Sequence, residues 1–397
     1  MKRRILFVDD EESVLDALES LLRKERDRWE MVFVMDGAQA LEELRKAPFD
    51  LVISDMRMPG MDGAELLAHV KENHPGAARM ILSGQATREA IVRSVPVAQQ
   101  YLAKPCNAAA LRKIIDRTLG LTALLSSGPL RAIAGKLGAL PSAPGIYTEL
   151  TQAAARLETT MADLAAVVQR DPSMSAKVLQ LVNSAYFGLS QPVNSVQKAI
   201  TLLGVEVIKG LALVSGVFAA APGNVVEGFS FEEVANNSFL AARLAKKFLG
   251  DSSLADEAFT AALLRDVGKI VFALGIPAEL AKALRESKES GRCLHVVETE
   301  QLGVSHAEAG AYLLGLWGLP FSIVEAVAFH HRPGAVSDGP GETLAAVHAA
   351  DALLEDGAVD LEFLAAKGLT GKLEKWRSIA AEAVAAREAG LQPASGM

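Results

Sequence analysis

The first 120 residues alternate short apolar runs with helical periodicity, and that rhythm leaves few architectures open. Ile5–Val8 reads as a buried strand, followed by an amphipathic helix over about Ser13–Lys24. Met31–Val34 reads as a second strand before a helix over about Gly37–Lys46. Leu51–Ser54, Met80–Leu82 and Tyr101–Ala103 supply the third, fourth and fifth strands. Strands separated by helices must run parallel and be covered on both faces, because each crossover lays a helix against the sheet. The expectation is an α/β doubly wound domain with a five-stranded parallel sheet over residues 1–120.

Strand signals stop at about Leu121. Breakers at Ser126, Gly128 and Pro129, ahead of the run LPSAPG at Leu140–Gly145, mark a linker over 121–139. Helix-start signals follow. Thr160 precedes Asp163 by three residues, Asp171 precedes Pro172, and Ser305 precedes Glu308 by three. These predict an all-α domain over 140–355, then a C-terminal helical extension over 356–397 with a frayed tail. Val205–Ala221 reads as one long apolar helix of the core, and its most apolar stretch, Leu211–Ala221, is too short to span a bilayer. Asn183–Gly188 reads as a helix end with a glycine stop.

Of the 397 residues, 50% are hydrophobic and 22% charged, which excludes a mainly disordered chain. The formal net charge is −8, and neither the first 120 residues nor the remainder carries a basic excess, so no DNA partner is expected. Cys106 and Cys293 are too few for a disulfide framework and lack metal-ligand spacing. The N-terminus, MKRRILFVDDEE, turns acidic too early for a secretory signal. A cytoplasmic protein without a membrane partner is expected.

Three carboxylates fall at strand ends. Asp9 and Asp10 follow the first strand and Asp55 the third. Ligands of an open parallel sheet bind at the carboxyl ends of its strands, so these side chains converge. An all-oxygen cluster suits Mg²⁺. Ser83 after the fourth strand offers a hydroxyl, and Lys104 after the fifth, with Pro105 behind it, offers a compact positive charge. Positioning and charge neutralisation are what phosphoryl transfer requires.

Residues 3–119 resemble a response-regulator receiver domain through the strings ILFVDDEE, DLVISDMRMPGMDG, MILSG and YLAKP. The resemblance implies that Asp55 accepts a phosphoryl group from a sensor histidine kinase. Asp9, Asp10, Asp55 and the Arg57 backbone carbonyl would hold Mg²⁺. Ser83 and Lys104 would grip the phosphoryl group, Tyr101 would be the switch aromatic, and Pro59 and Gly63 would shape the loop after Asp55. Pairing of receivers in a phosphorylation-dependent homodimer is implied by the same resemblance.

In the second half, five of the seven histidines lie within His295–His348, and His348 and Asp351 share a helical face. Residues from about Leu140 to Leu354 resemble the HDOD domain, the HD-related output domain, through LPSAPGIYTEL, DPSMSAKVLQLVNSAYFGL, AITLLGVEVIKGL, AALLRDVGKI and GVSHAEAGAYLLGLWGLP running on to FHH. The related HD phosphohydrolases bind metals through an ordered series of His, His-Asp, His, His-His and Asp. Here Asn237 stands at the first position and Arg265 replaces the second histidine, while Asp266, His306, His330, His331 and Asp351 remain. A permanent cation cannot coordinate a metal and would pair with Asp266 or Asp351 instead. The expectation is a non-catalytic output domain without a cofactor, engaging an unknown protein target. The alternatives are a degenerate phosphohydrolase or cyclic-di-GMP phosphodiesterase, and a nucleotide sensor that does not hydrolyse.

Overall fold

The computed structural model describes all residues except 1, 84–96, 105–107, 122–132, 136, 138–139, 157, 184–191, 214–219, 222–225, 337–340, 356 and 389–397. It divides into two compact units. The first comprises Met1–Ala139 with Gln180–Pro192 and Tyr312–Gly318, and the second comprises Leu140–Leu179, Val193–Ala311 and Leu319–Met397.

In the first unit the strands are β1 (Arg3–Val8), β2 (Trp29–Val34), β3 (Leu51–Asp55), β4 (Ala78–Ser83) and β5 (Gln100–Ala103). All pair in parallel in the order β2-β1-β3-β4-β5. The helices are α1 (Glu12–Leu22), α2 (Gly37–Lys46), α3 (Gly63–Asn73) and α4 (Ala108–Leu121). Strand β2 begins two residues earlier than its apolar run suggests, because the Trp29 side chain is buried and Trp29 pairs with Arg3. Leu6, Val8, Val52 and Ile81 of the sheet pack with Ala40, Leu44, Leu66, Leu67 and Val70 of α2 and α3 in one apolar layer. Strand order reverses at the β1/β3 step, the crevice where such sheets bind ligands.

Two local devices set the loop after β3. Asp62 and Glu65 form a reciprocal capping box at the start of α3. Gly63 presses so closely on the strand that a Cβ there would lie 2.0 Å from the Asp55 carbonyl oxygen, which only glycine permits.

The second unit is helical. Its elements run α5 (Pro144–Ala155), α6 (Met161–Val168), α7 (Pro172–Val182), α8 (Val196–Leu203), α9 (Val205–Leu213), α10 (Phe231–Leu249) and α11 (Ala255–Leu264). They continue as α12 (Val267–Gly275), α13 (Pro277–Ser290), α14 (Leu294–Leu302), α15 (His306–Leu316) and α16 (Phe321–Phe329). α17 (Glu342–Leu354), α18 (Leu361–Ala366) and α19 (Leu373–Glu388) complete it. Helices α10, α11 and α17 pack on one another, with α16 against α11 and α17. Thr160 and Asp163 cap α6 reciprocally, and Asp171 caps α7 through Met174 N at 2.8 Å while also accepting from Ala143 N at 3.0 Å. Glu308 accepts from Ser305 N at 2.9 Å at the start of α15.

One expectation needs correction. The long helix over Val205–Ala221 is described only to Leu213, and Ala220 instead forms a parallel bridge with Ser142. The C-terminal extension belongs to the helical body: Trp376 on α19 is wholly buried, stacks on Phe248 of α10 at 5.1 Å, and donates from Nε1 to the Phe248 carbonyl at 3.1 Å. The frayed tail, the breakers at Ser126–Pro129, Cys106, Pro105 and all of Asn183–Gly188 beyond Asn183 lie outside the described residues. Among the described residues no helix is long and apolar enough to cross a membrane.

Candidate functional site

At the carboxyl edge of the sheet, the residues that follow β1 and β5 meet the last residue of β3. Lys104 Nζ lies 2.5 Å from Asp9 Oδ2 and 2.6 Å from Asp55 Oδ1, so one ammonium bridges two buried carboxylates. Asp9 Oδ1 also accepts from Glu11 N at 3.2 Å, and Asp55 Oδ2 from Arg57 N at 2.5 Å. Burial raises the Asp9 carboxyl above its ordinary range even though Lys104 pulls the other way. Burial also works against the Lys104 charge, but hydrogen bonds and attraction from Asp55 and Asp9 outweigh it and raise its pKa. Asp10 is half-buried beside Asp9, and Arg57 is exposed just after Asp55. Ser83 ends β4 and pairs with Ala103 in register, while Tyr101 pairs with Ile81. The donors are hard oxygens next to a cation, so the set fits Mg²⁺ and phosphoryl chemistry.

The helical unit holds a second charged cluster, centred on buried Arg265, Asp266 and Asp351. Arg265, at the end of α11, donates from Nε to Asp351 Oδ1 at 2.7 Å and lies 3.1 Å through Nη2 from Asp266 Oδ2. Its Nη1 donates to the Ala262 carbonyl at 3.1 Å. Lys269, one turn on from Asp266, reaches Asp266 Oδ1 at 2.8 Å. Burial penalises both aspartates, yet Arg265 at each and Lys269 at Asp266 hold them below the usual carboxylate range. Arginine thus takes both aspartates, rather than one of the two.

Beside this ion network sit the imidazoles. His306 Nδ1 lies 2.6 Å from Glu298 Oε2, which also accepts the His306 backbone N–H at 2.8 Å. His331 Nε2 lies 3.1 Å from His306 Nε2, and the His295 ring stacks on His331 at 4.0 Å. His330 Nδ1 faces the Val327 carbonyl at 2.8 Å, and burial pushes its pKa down to about 4. His331 is likewise pushed down, by burial first and then by its neighbouring imidazoles. His348, on the Asp351 face of α17, bonds instead to the His330 carbonyl at 2.7 Å and to Asp360 N at 2.8 Å.

Asp266, Arg265, His306, His330, His331 and Asp351 therefore converge, whereas Asn237 does not belong with them. Its amide oxygen accepts from Arg387 at 3.2 Å in an exposed contact, and the buried positions on that turn are Ala235 and Ser238. One residue along a helix turns the side chain by about 100°, which is enough to move a position from pocket to surface. Sequence reasoning missed Glu298, Lys269 and His295. The spacing of Asp266 and Lys269 signalled their pairing, but Glu298 gave no such signal. It also missed the packing that joins the halves of the cluster: a Cβ on Gly268 would lie 1.8 Å from the His306 carbonyl oxygen, so α12 and α15 meet backbone to backbone.

Comparison with known proteins places these two sites in two families. Residues 5–116 match the response regulator receiver domain, and residues 140–333 match the HDOD domain. An uncharacterized protein from Treponema pallidum is 25% identical over 303 residues, covering 72% of this chain and 55% of its own length. The transcriptional regulatory protein ZraR from Escherichia coli O157:H7 is 30% identical over 153 residues, 38% of this chain and 34% of ZraR. The chain thus spans about half and a third of these relatives. Among solved structures, the MmoQ response regulator from Methylococcus capsulatus is 25% identical with a TM-score of 0.48, covering 60% of this chain and 98% of that one. A virulence factor from Campylobacter jejuni shares the fold at 20% identity, with a TM-score of 0.51 over 68% of this chain and 94% of its own.

Proposed function

We propose that this chain, which carries a receiver domain and an HDOD domain, is a two-component response regulator in which phosphorylation of Asp55 switches a non-hydrolytic helical output. The observation that carries the reading is the Lys104 ammonium held between Asp9 and Asp55 at the sheet edge. An Asp55 carboxylate oxygen attacks the phosphorus of a histidine kinase's phosphoimidazole, the P–N bond breaks, and the imidazole leaves with a proton. Lys104 then exchanges its contact with Asp55 Oδ1 for a phosphoryl oxygen, and Ser83, at the end of β4, donates to another. Asp9, Asp10, Asp55 and the Arg57 carbonyl would hold Mg²⁺, which when bound neutralises phosphoryl charge. New contacts at Ser83 and Lys104, with Tyr101 two residues before Ala103 on β5, bias the end of the sheet toward a second arrangement.

For the helical domain, binding of a protein target is favoured over hydrolysis because the Arg265 cation pairs with both Asp266 and Asp351, the two carboxylates a hydrolytic metal pair would need. The test is paired capture of partners by Mg²⁺-loaded protein treated with a small phosphodonor and by Asp55→Asn protein. Phosphoryl label that persists without Asp55, or identical partner recovery from both, would sink the switch. Cyclic-di-GMP turnover abolished by Asp266→Asn would replace the output reading with the phosphodiesterase one.

A further inference from the structure

The first compact unit holds more than the receiver. Gln180–Pro192 and Tyr312–Gly318, both inside the HDOD match, belong to it. They reach the receiver at the amino end of β5, on the sheet edge opposite Asp55 and Lys104. Gln100, the first residue of β5, uses both protons of its side-chain amide. One goes to Thr118 Oγ1 on α4 at 3.1 Å and the other to the Leu316 carbonyl at 3.0 Å. Leu316 ends α15, and its carbonyl is one of the four that a helix leaves without a partner of its own. Gly318, left-handed at φ 77°, turns the chain there, and a Cβ on it would stand 3.6 Å from Gln100 Cγ. Gln180, buried near the end of α7, donates from its side-chain amide to the Gln99 carbonyl at 3.1 Å. Gln99 in turn is tied to β4: Arg79 N donates to Gln99 Oε1 at 2.9 Å, and Gln99 N to the Arg79 carbonyl at 2.9 Å. Buried Arg79 brings in the linker by donating from Nη2 to the Gly135 carbonyl at 2.5 Å.

Strand β5 is only four residues long, roughly 10 Å, and Lys104 follows its last residue. A strand is stiff along its axis, so whatever holds Gln100 also limits how far Lys104 can leave Asp55. Here the bonds to Leu316 and Gln180 coexist with Lys104 on Asp55, the arrangement that a phosphoryl group must disturb. We propose that Gln100 and Gln180 form an autoinhibitory clasp, in which the ends of α15 and α7 hold β5 in its resting arrangement until the phosphoryl site is occupied. The clasp rests on the switch at Asp55 proposed above and supplies its route into the HDOD domain. Helix α15 runs from His306 to Leu316, so the released end belongs to the helix whose first residue meets Gly268 backbone to backbone. By linkage, contacts made only in the resting arrangement weaken binding at the phosphoryl site, and removing them strengthens it by the same factor.

Full-length protein in saturating Mg²⁺ is titrated with beryllofluoride, a phosphoryl mimic, and the bound fluorine is read by ¹⁹F NMR. Gln100→Met and Gln180→Met keep the side-chain length and remove the amide donors. Each should raise the affinity about 2- to 10-fold, the range of one neutral hydrogen bond. Beryllofluoride should also speed amide hydrogen exchange over Leu313–Gly318 in the wild type, and in Gln100→Met protein that exchange should already be fast without it. Circular dichroism checks the fold, and Gln100→Met carries the test if buried Gln180→Met does not fold. Unchanged or weaker affinity in folded Gln100→Met protein, or exchange over Leu313–Gly318 unaltered by beryllofluoride, overturns the clasp and leaves the switch at Asp55 standing. Wild-type protein that binds no more beryllofluoride than Asp55→Asn protein overturns the switch itself, and the clasp with it.

Discussion

The two domains solve the same electrostatic problem in opposite ways. In the receiver, a lysine bridges Asp9 and Asp55 at a sheet edge, and its side chain keeps 18% of its exposure. In the HDOD domain, an arginine bridges Asp266 and Asp351 with 1% exposure. Lysine is a point charge on a flexible stem and can move to an incoming phosphoryl group. Arginine is a planar fork matched to its acceptors, and moving it would strand charges in the interior. The proposed function asks the first bridge to be exchanged and leaves the second in place.

The largest effect that sharpens this contrast is all-or-none. Asp55→Asn should abolish phosphoryl labelling by a small phosphodonor, read by a phosphate-affinity gel, while the fold measured by circular dichroism is unchanged. Arg265→Met should cost about 3–5 kcal/mol in denaturant unfolding, because it strips buried Asp351 of its cation and leaves Asp266 with Lys269 alone. A loss below about 1 kcal/mol would mean that the buried bridge is dispensable, and the contrast would break.

Acid should separate the domains next. The folded-state pKa of His330 is about 4 against an ordinary 6.5, so the unfolded chain binds more protons between those values. Stability from keeping this imidazole neutral is present in full above about pH 6.5 and is lost as pH falls toward 4, by about 3 kcal/mol for a shift of that size. Metal-stripped full-length protein followed by domain-resolved hydrogen exchange should therefore open in the helical unit across that window. His330→Phe should flatten the dependence. The smallest effect is expected for Lys104→Met, at about 1–2 kcal/mol, since the acids it leaves can take up water at the sheet edge; phosphoryl signalling should still fail.

The two sites differ in how much of each was legible in the sequence. Asp9, Asp55 and Lys104 could be placed together because every strand of a parallel sheet ends on the same edge. A residue just past a strand therefore has a known destination. Helices give a face but not a neighbour. Arg265 and Asp351 were matched by chemistry, yet Glu298 was invisible, since nothing in its local pattern says that its helix meets the start of α15. Asn237 stands apart from the cluster, bonded to Arg387, and Trp376 gave no sign that the last helix closes on Phe248.

Periodicity, strand-end acids and capping pairs are local, and the chain alone therefore determined the receiver sheet, its acidic edge and the helical character of the remainder. The tertiary structure decided which charges would face one another inside the helical body. Helices can pack at many rotations and only contact selects one. The backbone approach of Gly268 to His306 and the fork of Arg265 across two aspartates are products of that selection.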